Sequence, residues 1–353
     1  MIDQQLVIDA VVHPYDLSAG NCVPEYQAQL DAVYAAHRMS FDEAHRAFML
    51  THDEFFSDLP YDALACAEFV ESPVDLAIIH ALPSLGFCKG FLNDPARAGG
   101  FQRRHPDRCL MYATVGTPDL KQALRHLEQQ VDAYAPEGLK LYPAFFYDGL
   151  AHGWRLDSDD FATPLLERAR ELGIRHVAIH KALWLPPAPR EVFEVGDLDT
   201  PMGRFPDLTF EIVHAGVAFV PETIALMKRH PNLYLTLETL FAYVLVKPDL
   251  FGRIIGSFIR ECGNERLLFA TGNNLAHPEP LLRTFAGYRL SDEVMSKYGL
   301  AQFTPQDRAN ILGLNAARLH GLDPAAIIAA TRDDGFARAR AIAVPPPWSR
   351  LRA

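Results

Sequence analysis

The chain has no run of eighteen apolar residues, no paired CxxC, no cluster of Lys and Arg, no glycine-rich phosphate loop and no internal repeat. Each gap removes a class of protein. Without a long apolar run there is no membrane-spanning helix to expect. Five cysteines, Cys22, Cys66, Cys88, Cys109 and Cys262, are too sparse for a disulfide scaffold in 353 residues and point to a reducing cytoplasm. A formal charge of −11 with scattered basic residues argues against nucleic acid as a partner. The N-terminus carries neither a basic stretch nor a following apolar core, so no secretion signal is expected.

What is present is 49% hydrophobic and 22% charged, enough for one large core. Two apolar runs, residues 176–180 and 210–214, each end on a histidine, His180 and His214. A parallel strand buried on both faces is almost wholly apolar, so a polar tip at its C-terminal end is where an α/β protein places chemistry. Further runs of the same kind cover residues 6–14, ending near His13, then 74–80, 108–115, 138–143, 232–238 and 266–274, with amphipathic helices expected between them at 120–133, 161–172 and 221–229. Eight such units predict an α/β fold, a (β/α)8 TIM barrel. Residues 1–343 are read as one barrel domain with a helical insertion between strands 1 and 2, about residues 17–72, and 344–353 as a C-terminal tail, either an ordered clasp or a loose end. The insertion holds His52-Asp53-Glu54-Phe55-Phe56-Ser57-Asp58, a lid candidate or a solvated helix end, and Leu185-Pro186-Pro187-Ala188-Pro189 is a second wall or lid candidate.

Five segments in order, residues 8–13, 138–143, 178–180, 212–216 and 310–319, resemble the amidohydrolase superfamily, in the branch of aminocarboxymuconate semialdehyde decarboxylase and the resorcylate decarboxylases. The resemblance implies one or two divalent metals at the barrel mouth, with His13, His180 and His214 at ligand positions. Two of that family's ligands have no counterpart. Val11 stands at the first histidine of the strand-one pair, and Ala270-Thr271-Gly272-Asn273-Asn274 replaces the Gly-Thr-Asp that closes strand eight. That aspartate is the general base of the hydrolases, so ordinary amide hydrolysis is not expected.

The carboxylates left to complete a site are Glu238, at the end of the seventh strand, and Asp16, Asp53, Glu54 or Asp58, with Asp58 taken as the ligand. Imidazoles with carboxylates suit iron, zinc or manganese. The chain also resembles the non-haem di-iron monooxygenases of terpenoid biosynthesis, through residues 9–14, 55–58, 178–181 and 237–238. That likeness implies two irons, an external reductase and hydroxylation of a bulky hydrophobic substrate carried on coenzyme A, in a chamber lined by Phe55, Phe56, Phe145, Phe146, Trp184 and Phe241. Alternatives are a metal-dependent hydrolase or non-oxidative decarboxylase, and a non-catalytic ligand-binding barrel. Lys140 is either a carbamylated metal bridge or an ion-pair or substrate contact, and Lys181 joins Glu238 and Lys140 as a catalytic candidate, Glu238 being alternatively the partner of either lysine. His80 and His176 read as packing residues, and a homodimer is a possible assembly.

Overall fold

The computed structural model describes residues 5–83, 86–147, 150–184 and 188–352. Ten strands occur among them: β1 (Ile8–Val12), β2 (Leu76–His80), β3 (Cys109–Thr114), β4 (Gly138–Leu141), β5 (Ala144–Tyr147), β6 (Leu150–Gly153), β7 (His176–His180), β8 (Thr209–Val213), β9 (Leu233–Thr236) and β10 (Leu267–Leu268). Eight of them, all but β5 and β6, pair parallel in the order β1-β2-β3-β4-β7-β8-β9-β10. Ala10 N–H donates to Phe269 O (2.9 Å) and Gly272 N–H to Val11 O (2.9 Å), which joins the last strand to the first and closes a (β/α)8 barrel.

The strand interiors are apolar because a closed parallel sheet meets side chains on both faces. Outward residues such as Ile79, Met111, Leu139, Val177, Ile212 and Phe269 pack under the helices. Inward ones, among them Ile8, Ile78, Ala178 and Leu268, form a separate interior cluster with Ala316, Ala317 and Ile327. The expected helices appear at Leu120–Tyr134, Ala162–Glu171 and Val220–Arg229, and Gly173 ends the second with φ +90, a conformation open to glycine.

The structure adds detail at three segments. The insertion is one helix, Gln27–Arg38, followed by short helical pieces through Glu71, because Pro60 and the extended residues Asp42 and Thr51 interrupt it. The segment after β4 contains the antiparallel hairpin β5–β6. The tail is a clasp: Trp348 is wholly buried, and the Glu71 carboxylate accepts from Trp348 N–H (2.7 Å), Ser349 N–H (2.8 Å) and Ser349 O–H (2.7 Å). Residues 185–187 of the proline-rich excursion and the Phe146 side chain lie outside the described residues. Among the described residues no helix is long and apolar enough to cross a membrane.

Candidate active site

At the mouth of the barrel β1, β7, β8 and β9 deliver His13, His180, His214 and Glu238, all buried. A bulge between Asp9 and Val12 shifts the register of β1 ahead of His13, and the Asp9 carboxylate holds it by accepting from Val11 N–H (3.2 Å), Thr271 N–H (3.1 Å) and Thr271 O–H (2.5 Å). Just past the strand ends, Ala182, His214, Thr239 and Asn273 all have left-handed φ, from 43 to 69. Non-glycine residues held there store strain, and such strain gathers at functional sites.

His214 Nε2 and His180 Nδ1 are hydrogen-bonded at 3.0 Å, and His180 Nε2 is paired with Leu183 O at 3.0 Å. Glu238 lies 3.8 Å from His13 Nε2 through one oxygen and 3.8 Å from His214 Nδ1 through the other. His13 Nδ1 faces His80 O (3.3 Å), Tyr142 stacks on His180 (4.6 Å between centroids) and Tyr15 leans on His13 (5.1 Å).

Gly272 explains how the missing strand-eight aspartate is tolerated. A Cβ at this position would stand 2.5 Å from Glu238 Oε1, so the carboxylate arriving from β9 occupies space that any side chain at 272 would need. Gly272 also has φ +69, which favours glycine on backbone grounds alone.

Burial, with the nearby Lys140 charge, pushes the His13 and His180 imidazoles down to about 3, and burial with His180 and Lys140 holds His214 well below the ordinary range. All three are neutral. Burial raises Glu238 to about 7 against the pull of Lys140, and lowers Lys140 to about 8 against the pull of Glu238 and Glu211. The Lys140 Nζ is fully buried without a hydrogen-bond partner, 5.1 Å from the centre of the Tyr142 ring. A carboxyl and an amine with values this close to neutrality can exchange protons, which suits acid–base chemistry.

Neutral imidazoles beside a carboxylate fit a divalent cation in kind. In position they stand in pairs, and among the described residues no three His, Cys, Asp or Glu side chains are gathered to hold an ion. His13, His180 and His214 are the residues that would hold one.

The other expected site residues lie elsewhere. Asp58 is exposed and paired with Arg97 (2.5 Å). Asp53 is exposed beside His52, Glu54 is paired with Arg352, and Asp16 accepts from Ser18. Lys181 is buried in an ion pair with Asp197 (2.8 Å) and donates to Val192 O (2.5 Å), so its ammonium pins the chain after β7 instead of meeting a substrate. Among the described residues the expected phenylalanine chamber does not form: Phe241 packs on Phe251, Phe269 and Phe285, Phe55 on Tyr34 and His37, Phe145 beside Trp154 and Phe161, and Trp184 is exposed. Rings that do stand at the site are Tyr15, Tyr142 and Phe193, the last 5.7 Å from His180. Buried Glu211 and Tyr112 form a polar group with the partly exposed His320 below the mouth, unforeseen from the sequence; a carboxylate in the middle of the apolar run 210–213 was the available signal.

Comparison with known proteins agrees with this fold. The family model described as Amidohydrolase matches residues 13–322, and the chain belongs to that family. No curated protein matches. Among solved structures, an uncharacterized TIM-barrel protein of Bordetella bronchiseptica is 20% identical with a TM-score of 0.62, over 89% of this chain and 98% of that one. The 2,6-dihydroxybenzoate decarboxylase from Rhizobium is 17% identical with a TM-score of 0.51, over 90% and 99%. The 5-carboxyvanillate decarboxylase of Novosphingobium aromaticivorans, complexed with manganese and 4-hydroxy-3-methoxy-5-nitrobenzoic acid, is 14% identical with a TM-score of 0.55, over 90% and 97%. At these identities the likeness is one of fold.

Proposed function

We propose that the chain is an enzyme that removes carbon dioxide, without oxidation, from a small carboxylated aromatic acid. The observation that carries the reading is the burial at one mouth of the Glu238 carboxyl, 3.8 Å from His13 and from His214, and of a Lys140 Nζ without a hydrogen-bond partner. Fold neighbours named as decarboxylases support the substrate class.

His13, His180 and His214 would hold a divalent cation, which when bound supplies Lewis acidity toward the substrate's oxygens. Lys140 attracts the anionic acid and Tyr142 and Phe193 offer ring faces to its aromatic body. When the carbon–carbon bond breaks, its electron pair stays on the ring carbon, carbon dioxide leaves, and Glu238 gives that carbon its proton. Glu238 is then the carboxylate that Lys140 stabilises. A proton donor with a value near 7 is matched to neutral pH, and its position replaces the missing strand-eight aspartate.

The test is anaerobic incubation of the metal-supplemented protein with a panel of hydroxylated benzoates, followed by carbon dioxide release. Release without dioxygen is expected; product formed only with dioxygen and a reductant would overturn the reading. That second outcome belongs to the iron-dependent monooxygenase with a hydrophobic, coenzyme A-linked substrate. It draws on Asp58 as a ligand, and Asp58 is paired with Arg97. Asp58→Asn is accordingly expected to leave metal content and turnover unchanged.

A further inference from the structure

The barrel interior is apolar at most inward positions, yet a line of ionisable side chains crosses it. Ala178 on β7 is paired with Lys140 of β4 on one side and Glu211 of β8 on the other, so the two charged residues flank a methyl group at one level of the barrel. One level toward the N-terminal ends of the strands, Tyr112 of β3 pairs with Gly138. A Cβ at Gly138 would lie 2.6 Å from the Tyr112 ring, so only glycine lets the ring lie across this position. The Tyr112 hydroxyl donates to Glu211 Oε1 at 2.6 Å and lies 3.3 Å from His320 Nε2. The His320 ring is 4.6 Å from His176, the first residue of β7, and both histidines are partly exposed.

We propose that His320, Tyr112, Glu211 and Lys140 form a proton path along the barrel axis, joining solvent at the closed end of the barrel to the Lys140 amine near the mouth. The path rests on the decarboxylase reading only for the use made of the proton. One proton reaching His320 Nδ1 through ordered water releases the proton on Nε2 to the Tyr112 oxygen, and Tyr112 passes its own to Glu211. Once the Lys140 ammonium has given up its proton at the mouth, its amine takes the proton released from Glu211 Oε2 through ordered water. No charge is created or lost beyond the one proton moved.

Two further observations support it. Lys140 Nζ, Glu211 Oε2, His320 Nδ1 and His176 Nδ1 are all buried without partners, and buried polar atoms of native proteins are usually satisfied by ordered water. Buried ionisable groups are also costly, and apolar residues of similar size would stabilise the barrel at least as well, so packing alone does not account for the line. Burial raises Glu211 to about 7, with Tyr112 and Lys140 the groups that face it; burial lowers His320 to about 3, and His176 faces it. Tyr112 also stacks on His80 (4.5 Å) and senses Glu137, and Lys140 is faced by Glu238, Glu211, His13, His180 and His214. Neutral imidazoles can accept at one nitrogen and donate at the other.

The test is a pH jump on the full chain followed by time-resolved infrared absorption, with the Glu211 carboxyl band identified by its loss in Glu211→Gln. Tyr112→Phe and His320→Gln are each expected to slow protonation of Glu211 by about tenfold or more, and imidazole in the buffer is expected to restore the rate of His320→Gln. Unchanged rates in both variants, each checked for native circular dichroism, would overturn the path. Should Tyr112→Phe fail to fold, His320→Gln at the partly exposed end decides the matter. No turnover is measured, so a failure of the decarboxylase reading leaves this result standing.

Discussion

Replacing Glu211 with glutamine is expected to make stability less dependent on pH. Burial raises this carboxyl from its ordinary 4.5 to about 7. Below 4.5 the group is protonated in both folded and unfolded chains, so it adds no pH dependence there. Between 4.5 and 7 the unfolded chain loses the proton while the folded one keeps it, so stability falls as pH rises through that window and then levels off. The whole fall corresponds to about 3 kcal/mol. Glutamine keeps the carbonyl that accepts from Tyr112 and removes the titration. Urea denaturation of both proteins at a series of pH values measures the difference. Glu211→Gln should gain about 3 kcal/mol on the wild-type chain between pH 4.5 and 8, with the gain centred in that window. A difference independent of pH would refute the reasoning, since it would mean that Glu211 is ionised in the fold or reaches solvent. Other groups that titrate, Glu238 and Asp9 among them, cancel in the comparison to the extent that the substitution leaves them undisturbed.

Gly272→Ala adds a Cβ 2.5 Å from Glu238 Oε1 at a φ of +69. It is expected to cost about 1–2 kcal/mol of stability and to lower turnover by about a hundredfold as Glu238 is displaced; melting and steady-state assays check both parts. Trp348→Ala empties a fully buried site in which the indole N–H donates to Phe48 O (2.8 Å). A loss of about 3–5 kcal/mol is expected, measured by urea denaturation, and a loss below about 1 kcal/mol would mean that the tail is not a clasp.

The barrel was legible in the sequence because strands buried on both faces read as short apolar runs, and each of the eight runs holds all or most of a barrel strand. Histidines at three strand ends were legible for the same reason, a polar residue being conspicuous where the chain is otherwise apolar. Asp58 was not: nothing in the sequence says that Arg97, thirty-nine positions on, turns its carboxylate outward. Phe241 was misplaced because an apolar residue just past a strand end can face the mouth or the helices, and only packing decides; here it joins Phe251, Phe269 and Phe285. Lys181 follows His180 directly, yet successive residues of an extended chain face opposite ways, and its ammonium ends on Asp197. Gly272 is the reverse case. Its lack of a side chain read as a loss, and the space it leaves is filled by Glu238 from the neighbouring strand.

The central proposal, that His13, His180 and His214 would hold the metal of a decarboxylase at the barrel mouth, is tested most directly by titrating the metal-stripped chain with manganese while counting bound ions. One ion per chain is expected, bound at least about tenfold more weakly in each of His13→Ala and His180→Ala. Equal binding by the wild-type and both variants, or no binding by the wild-type chain, would contradict it.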